Sequence, residues 1–335
     1  MKSAFVLSSS FSLLLSLASA QSYDATICGE DRFGEFSDPH VYLPNAWNDN
    51  SPDDGYVCMS VDNSTPAFDV TWMWPENIAD VHSYPYVRLN DDDLPTRLST
   101  IQSMRIKSDW IMTLGSPRSP PRDFSNSTWA ENKEELDEAG VTANAAWDFF
   151  LDGNRTRTYN PVDSAIEVMI WLGRVGHARP LEGDGVVTRI TLGDHTFQLH
   201  YQLNFRSRHV FTWILADGGD VTQFDEDVSP LFEYILNNPP PESDDEDAAE
   251  WPENPYLGLV EFGSETWFSR ENVTFSVANF ALDLEVDEDA ADSGSDGGSG
   301  GSGGDDEDDA AMALGVPFLG FVAPVALLAG AMIGL

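Results

Sequence analysis

Basic residues are scarce in this 335-residue chain: 17 Lys plus Arg stand against 57 Asp plus Glu, a formal net charge of −40 at pH 7. Neutralising nucleic-acid phosphates needs a cationic surface, so nucleic acid is excluded as a partner. Cysteine is limited to Cys28 and Cys58. Neither stands beside a candidate base, which argues against a catalytic thiol. The six histidines show no paired ligand spacing. His195 and His200, five apart on a strand pattern, point to opposite faces and cannot share a metal. A glycine-rich phosphate loop is missing, as is any internal repeat. No metal and no cofactor are expected.

Helical periodicity is also scarce. The one clear stretch is Val228 to Leu236, with apolar residues at 228, 231, 232, 235 and 236, closed by Pro239-Pro240-Pro241.

What the chain has in quantity is apolar mass, 41% hydrophobic and 11% aromatic residues, enough for a large core despite the charge. The acidity is uneven, with six acidic residues in Glu242 to Glu250, read as a solvated loop, and twelve in Asp283 to Asp309. The remainder is still acidic, which suits an uncharged substrate and a low working pH.

Both ends read as addresses. Lys2, the apolar run Ala4 to Leu17 and Ala18-Ser19-Ala20 form a secretory signal peptide, 1–20. Residues 287–309 are an acidic Gly/Ser/Asp linker, and Ala310 to Leu335 carries no charged side chain. That tail is long enough for a transmembrane helix, but no Lys or Arg follows it. Small residues, a polar spacer and an apolar tail fit a glycosylphosphatidylinositol (GPI) attachment signal better, with residues 310–335 removed and the protein held at the cell surface, on the plasma membrane or cell wall. Secretion permits a Cys28–Cys58 disulfide, expected to join the first two strands. It also permits N-glycosylation at the sequons of Asn63, Asn126, Asn154 and Asn272.

Between these ends, residues 21–286 form one expected domain. Short alternating segments such as Phe68 to Trp74, Gly185 to Leu192, Thr196 to Leu203, His209 to Ala216 and Val273 to Leu284 are broken by Gly, Pro, Asn and Asp. This pattern predicts an all-β jelly-roll β-sandwich with one short helix.

Two stretches carry chemistry. In Glu167 to Leu172, a strand period of two sends Val168, Ile170 and Leu172 to the core and Glu167, Met169 and Trp171 to the other face. A carboxylate, a thioether and an indole in one row suit a sugar-binding cleft. In Val260 to Phe268, the same parity aligns Glu261, Gly263, Glu265 and Trp267, with Gly263 expected to leave room for a ligand. Glycoside hydrolysis needs two carboxyl groups facing each other across a cleft, and Glu167 and Glu265 are the natural pair.

These two stretches resemble glycoside hydrolase family 12, whose members are endo-acting β-1,4-glucanases and xyloglucanases with a concanavalin A-like jelly roll. Glu167 to Gly173 is similar to the family's nucleophile strand and Phe262-Gly263-Ser264-Glu265 to its acid/base strand. Cys28 and Cys58 match its N-terminal disulfide, Asn45-Ala46-Trp47 its cleft segment, and Phe68 to Trp74 with Ser83-Tyr84 two further strands. Trp147 to Phe150 resembles a segment whose Asp stands beside the nucleophile. Thr266-Trp267, Asn48, Gln202-Leu203-Asn204 and Glu261 depart from the family pattern.

The resemblance implies a retaining endo-β-1,4-glucanase acting on xyloglucan, mixed-linkage β-glucan or amorphous cellulose. Glu167 would be the nucleophile and Glu265 the acid/base, its proton held by the negative charge of Glu167, Asp148 and Glu261. Asp148 would be a hydrogen-bonding neighbour of the nucleophile. Trp47, Trp72, Trp74, Trp171 and Trp267 are candidate sugar platforms, of which three are expected to touch glycan, and Met169 lines the same row. Two other functions fit the residues: a surface-anchored transglycosylase using the same glycosyl-enzyme, and a noncatalytic glucan-binding protein.

Overall fold

The computed structural model describes residues 23–47, 55–76, 78–116, 123–240 and 248–287. The signal peptide, the linker beyond Asp287, the apolar tail, Asn48 and most of the Glu242 to Glu250 loop lie outside the described residues.

The strands are β1 (Ala25–Cys28), β2 (His40–Leu43), β3 (Tyr56–Asp62), β4 (Ala67–Trp74), β5 (Tyr86–Leu89), β6 (Thr96–Arg97), β7 (Ile101–Leu114), β8 (Thr142–Asp152), β9 (Ile166–Val175), β10 (Val186–Leu192), β11 (His195–Leu203), β12 (His209–Leu215), β13 (Gln223–Asp227), β14 (Tyr256–Gly263) and β15 (Thr266–Val286). They form two layers. One runs β1-β3-β4-β15-β7-β13, the other β2-β5-β14-β8-β9-β12-β11-β10 with β6 also on β14. Only β9 and β12 pair in parallel; the other pairings are antiparallel. The 21-residue β15 belongs to both layers, pairing with β8 at Thr266 and Phe268 and with β4 and β7 from Ser269 onward. This is the expected jelly-roll sandwich.

The expected parity holds. Val168, Ile170 and Leu172 join Trp147, Phe149, Trp213 and Phe262 in a core against Phe68, Trp110 and Phe275 of the facing layer. Phe262 and Phe275 meet across it with ring centroids 6.1 Å apart. Met169, Trp171, Ala146 and Ile214 cluster on the opposite face with Trp267. A fully buried aromatic of this size contributes roughly 1.5–3 kcal/mol, so alternation in these strands fixes which face closes the sandwich.

The described residues hold two α-helices rather than one. The expected helix is α2 (Ser229–Asn237), with Pro230 in its first turn and Leu231, Phe232 and Ile235 buried. The unexpected one is α1 (Asn126–Glu138), capped by the Ser125 side chain, which accepts the Thr128 N–H. Its sequence shows little period because only Trp129, Asn132 and Leu136 are buried. Its stability comes from tertiary packing, with Trp129 edge-on to Trp110 at 4.8 Å. The Cys28–Cys58 disulfide is present, but it joins the first and third strands, where the two residues are register partners.

Candidate active site

Strand register on the face away from the core brings the site together. Arg88 on β5 pairs with Glu261 on β14, Glu261 with Asp148 on β8, and Asp148 with Met169 on β9. One row along, Tyr86, Gly263, Ala146 and Trp171 are successive partners. Glu167 stands opposite Phe150 and Val210. The chain then leaves β14 so that the Glu265 carbonyl accepts the Asn144 N–H at 3.1 Å. Two glutamates 98 positions apart in sequence thus reach one face of one sheet.

Their surroundings differ. Glu167 keeps a partly accessible side chain, and its Oε2 accepts from Arg208 Nη1 at 2.8 Å in a nearly buried ion pair. Arg208 also donates through Nη2 to the Pro161 carbonyl, and its guanidinium lies 5.5 Å from the Phe150 ring centre. Among the described residues no cation pairs with Glu265. Asn144, fully buried, donates from Nδ2 to Glu265 Oε2 and accepts the Glu265 N–H at 2.7 Å. Burial first, then the charge of Glu167, pushes the Glu265 carboxyl up to about 8, with the Asn144 bond opposing. The expectation named neighbouring charge as the cause; desolvation is the larger one.

Asp148 is buried, and burial together with Glu167, Glu261 and Glu265 holds its carboxyl well above the usual range, Arg208 opposing. Among the described residues the hydrogen bond to Glu167 expected of Asp148 is made by Arg208 instead. Asp148 Oδ1 has no partner among the described residues, and its cross-strand neighbour is Met169, two residues along from Glu167 on the same face. Glu261 is buried against Arg88 at 2.9 Å. Its carboxyl is still raised, because burial outweighs the arginine.

Further corrections concern the indoles and Gly263. Trp72 and Trp74 are fully buried in the core, Trp74 stacked on His82 at 5.1 Å and donating from Nε1 to Thr266 Oγ1 at 2.9 Å. Neither can be a sugar platform. Three candidates lie outside the inter-layer core: Trp47, 37% exposed on the loop after β2, and the edge-to-face pair of buried Trp171 and half-buried Trp267, 6.2 Å apart, in the cluster on the opposite face. Trp171 Nε1 is buried with no partner among the described residues. Gly263 leaves no room for a ligand: a Cβ there would lie 2.2 Å from the Pro85 carbonyl, so the glycine serves close packing of β14 on the segment leading into β5.

The sequence reading missed Asn144, Arg88 and Arg208. Parity with Asp148 along β8 was a signal for Asn144. No local signal marks Arg208, which reaches Glu167 only through the β11–β12 turn and the parallel pairing of β12 with β9. A cavity of about 310 Å³ lined by Lys133, Asp137, Arg174, His177, Arg179 and Glu182, among others, lies near the end of β9 and includes neither glutamate. Among the described residues no cluster of His, Cys, Asp and Glu has the arrangement of a metal site.

Residues 125–285 match Glycosyl hydrolase family 12. The chain is 25% identical over 277 residues to the xyloglucan-specific endo-beta-1,4-glucanase A of Emericella nidulans, covering 81% of this chain and 97% of that one. In structure it is similar to the Humicola grisea Cel12A catalytic domain, crystallised with a soaked thio cellotetraose (TM-score 0.58, 21% identity, 78% of this chain and 99% of that one). It is also similar to the Bacillus licheniformis family 12 xyloglucanase (TM-score 0.57, 17% identity, 78% and 100%). At these identities the structural likeness is one of fold.

Proposed function

For a chain whose residues 125–285 are a Glycosyl hydrolase family 12 segment, and which is therefore a glycoside hydrolase, we propose a retaining endo-β-1,4-glucanase with Glu167 as nucleophile and Glu265 as acid/base. The observation that carries this reading is the unlike environment of two half-buried carboxyl groups on one sheet face: Glu167 is ion-paired to Arg208, and Glu265 is bonded to Asn144 and pushed up to about 8. A double displacement asks for one ionised and one protonated carboxyl group about 5 to 5.5 Å apart.

In the first step Glu167 attacks the anomeric carbon and Glu265 gives its proton to the leaving oxygen. In the second, Glu265 takes a proton from water as water displaces Glu167. Asp148, whose carboxyl burial holds well above the usual range, is disfavoured from adding negative charge beside Glu167. Trp171, Trp267 and Trp47 offer the apolar faces on which pyranose rings stack, and Met169 fills the floor between them.

Xyloglucan is the first polymer to test, because the Emericella nidulans relative named above is xyloglucan-specific, with mixed-linkage β-glucan and amorphous cellulose beside it. We place the enzyme outside the cell, held by the GPI lipid attached as residues 310–335 are removed. The deciding experiment is reducing-end release from these polymers by residues 21–290, wild type beside Glu167→Gln and Glu265→Gln. Activity that both substitutions remove supports the reading; full activity in Glu167→Gln overturns it. Release of the full-length enzyme from cells by a phosphatidylinositol-specific phospholipase tests the anchor.

A further inference from the structure

Arg208 is a departure from what the two-carboxylate chemistry requires, since a nucleophile that is to attack gains nothing from having its charge neutralised. The residue is 7% exposed. It spends one guanidinium nitrogen on Glu167 Oε2 and another on the Pro161 carbonyl, and its Nε has no partner among the described residues. Its position is built. Asn204 closes the turn between β11 and β12, accepting the Arg208 N–H at 3.1 Å and donating its own N–H to the Arg208 carbonyl at 3.0 Å. The guanidinium packs over Phe150, the cross-strand partner of Glu167. Among the described residues nothing pairs with Glu167 Oε1, so that oxygen is the one available to attack.

We infer that Arg208 is a positioning residue whose main effect falls on the second half of the reaction: it makes Glu167 a good leaving group and keeps the glycosyl-enzyme short-lived. The inference rests on Glu167 being the nucleophile.

In the first step an electron pair of Oε1 forms the bond to the anomeric carbon. The bond from that carbon to the departing oxygen breaks, its electrons stay on that oxygen, and the proton of Glu265 joins them. Glu167 is now a neutral ester, and Arg208 has exchanged a charge-assisted bond to a carboxylate for a weaker one to an ester carbonyl. In the second step a water oxygen bonds to the anomeric carbon as its proton passes to Glu265. The Oε1–carbon bond breaks, its electrons return to Glu167, and the full ion pair with Arg208 is restored. A fixed cation favours the carboxylate over the ester throughout, so it restrains formation of the intermediate and speeds its breakdown. Burial strengthens this preference, because few waters are available to take over the charge.

The test isolates the second step. Wild type, Arg208→Lys and Arg208→Gln are labelled with 2-deoxy-2-fluoro-β-cellobiosyl fluoride, freed of excess reagent, and followed for return of activity, with the labelled peptide identified by mass spectrometry. The expected result is label on Glu167 in all three, with activity returning about 10- to 100-fold more slowly in Arg208→Gln and at an intermediate rate in Arg208→Lys. Label on Glu167 with Arg208→Gln recovering within about twofold of wild type overturns the inference alone. Label on another residue of active wild-type enzyme overturns the nucleophile assignment beneath it. A partly unfolded variant lowers the amplitude of recovery and not its rate constant. If Arg208→Gln takes no label, Arg208→Lys decides: slower return supports the inference, and an unchanged rate overturns it.

Discussion

The Glu167 and Glu265 halves of the site lie on one sheet face and differ in what surrounds the carboxyl group. At Glu167 a buried arginine held by the β11–β12 turn supplies positive charge. At Glu265 no cation is present among the described residues, and a buried amide holds both the carboxyl group and the backbone of the same residue. Two chemically identical side chains are thereby given different tasks, and the difference is made by neighbours that are not themselves carboxylates.

The comparison is tested most severely by leaving-group dependence. Glu167→Gln is expected to lower hydrolysis about 10⁴-fold or more on polysaccharide and on activated aryl cellobiosides alike, because the nucleophile is needed whatever departs. Glu265→Gln is expected to lose about 10²- to 10⁴-fold on β-glucan but far less in the first step with a dinitrophenyl leaving group, which needs no proton. Equal losses on both substrates in steady-state and burst kinetics would erase the distinction between the halves.

Next in size is a contrast between indoles. Trp74→Ala, in the core, is expected to cost about 3–5 kcal/mol in denaturant melts. Trp267→Ala is expected to leave stability nearly unchanged and raise KM for glucan severalfold. A reversed outcome would move the sugar-binding surface.

The pH dependence sharpens the Glu265 half. A carboxyl group whose folded value is raised to about 8 binds more protons folded than unfolded between its ordinary range and pH 8, so it lowers stability progressively as pH rises through that window. Removing the charge should reverse this: Glu265→Gln is expected to melt above wild type at pH 7 and to converge with it near pH 4. For the same reason kcat/KM of the wild type should fall as pH rises through about 8, where the general acid is lost.

The smallest effect expected is at Asn144. Its bond to Glu265 favours the ionised form, so Asn144→Ala should carry the alkaline limb of kcat/KM to higher pH, read from a pH–rate profile. A limb that moves down would mean that the amide acts in some other way.

Much of this was legible in the chain. The alternation in Glu167 to Leu172 named the cleft face and the core face because a strand has a period of two, and both glutamates were found that way. The same rule failed for Trp72 and Trp74. Period two says that they share a face but not that this face is the core, a choice made by Phe68 and Val70 beside them and by the opposing layer. Helix α1 was missed because only two of its 13 residues, Trp129 and Leu136, are buried apolar ones, against three of nine in α2. Gly263 was noticed for a plausible but wrong reason, since the atom that fills its space belongs to Pro85, far away in the chain.

The sequence by itself determined the fold class, the two carboxyl groups and the charge of the whole, all of which depend on residue type and local spacing. Only the tertiary structure decided how the two carboxyl groups differ. That difference comes from burial, from an asparagine one strand away and from an arginine that a turn and a parallel strand pairing carry to Glu167. Electrostatic environment depends on distance in space, and distance along the chain does not report it.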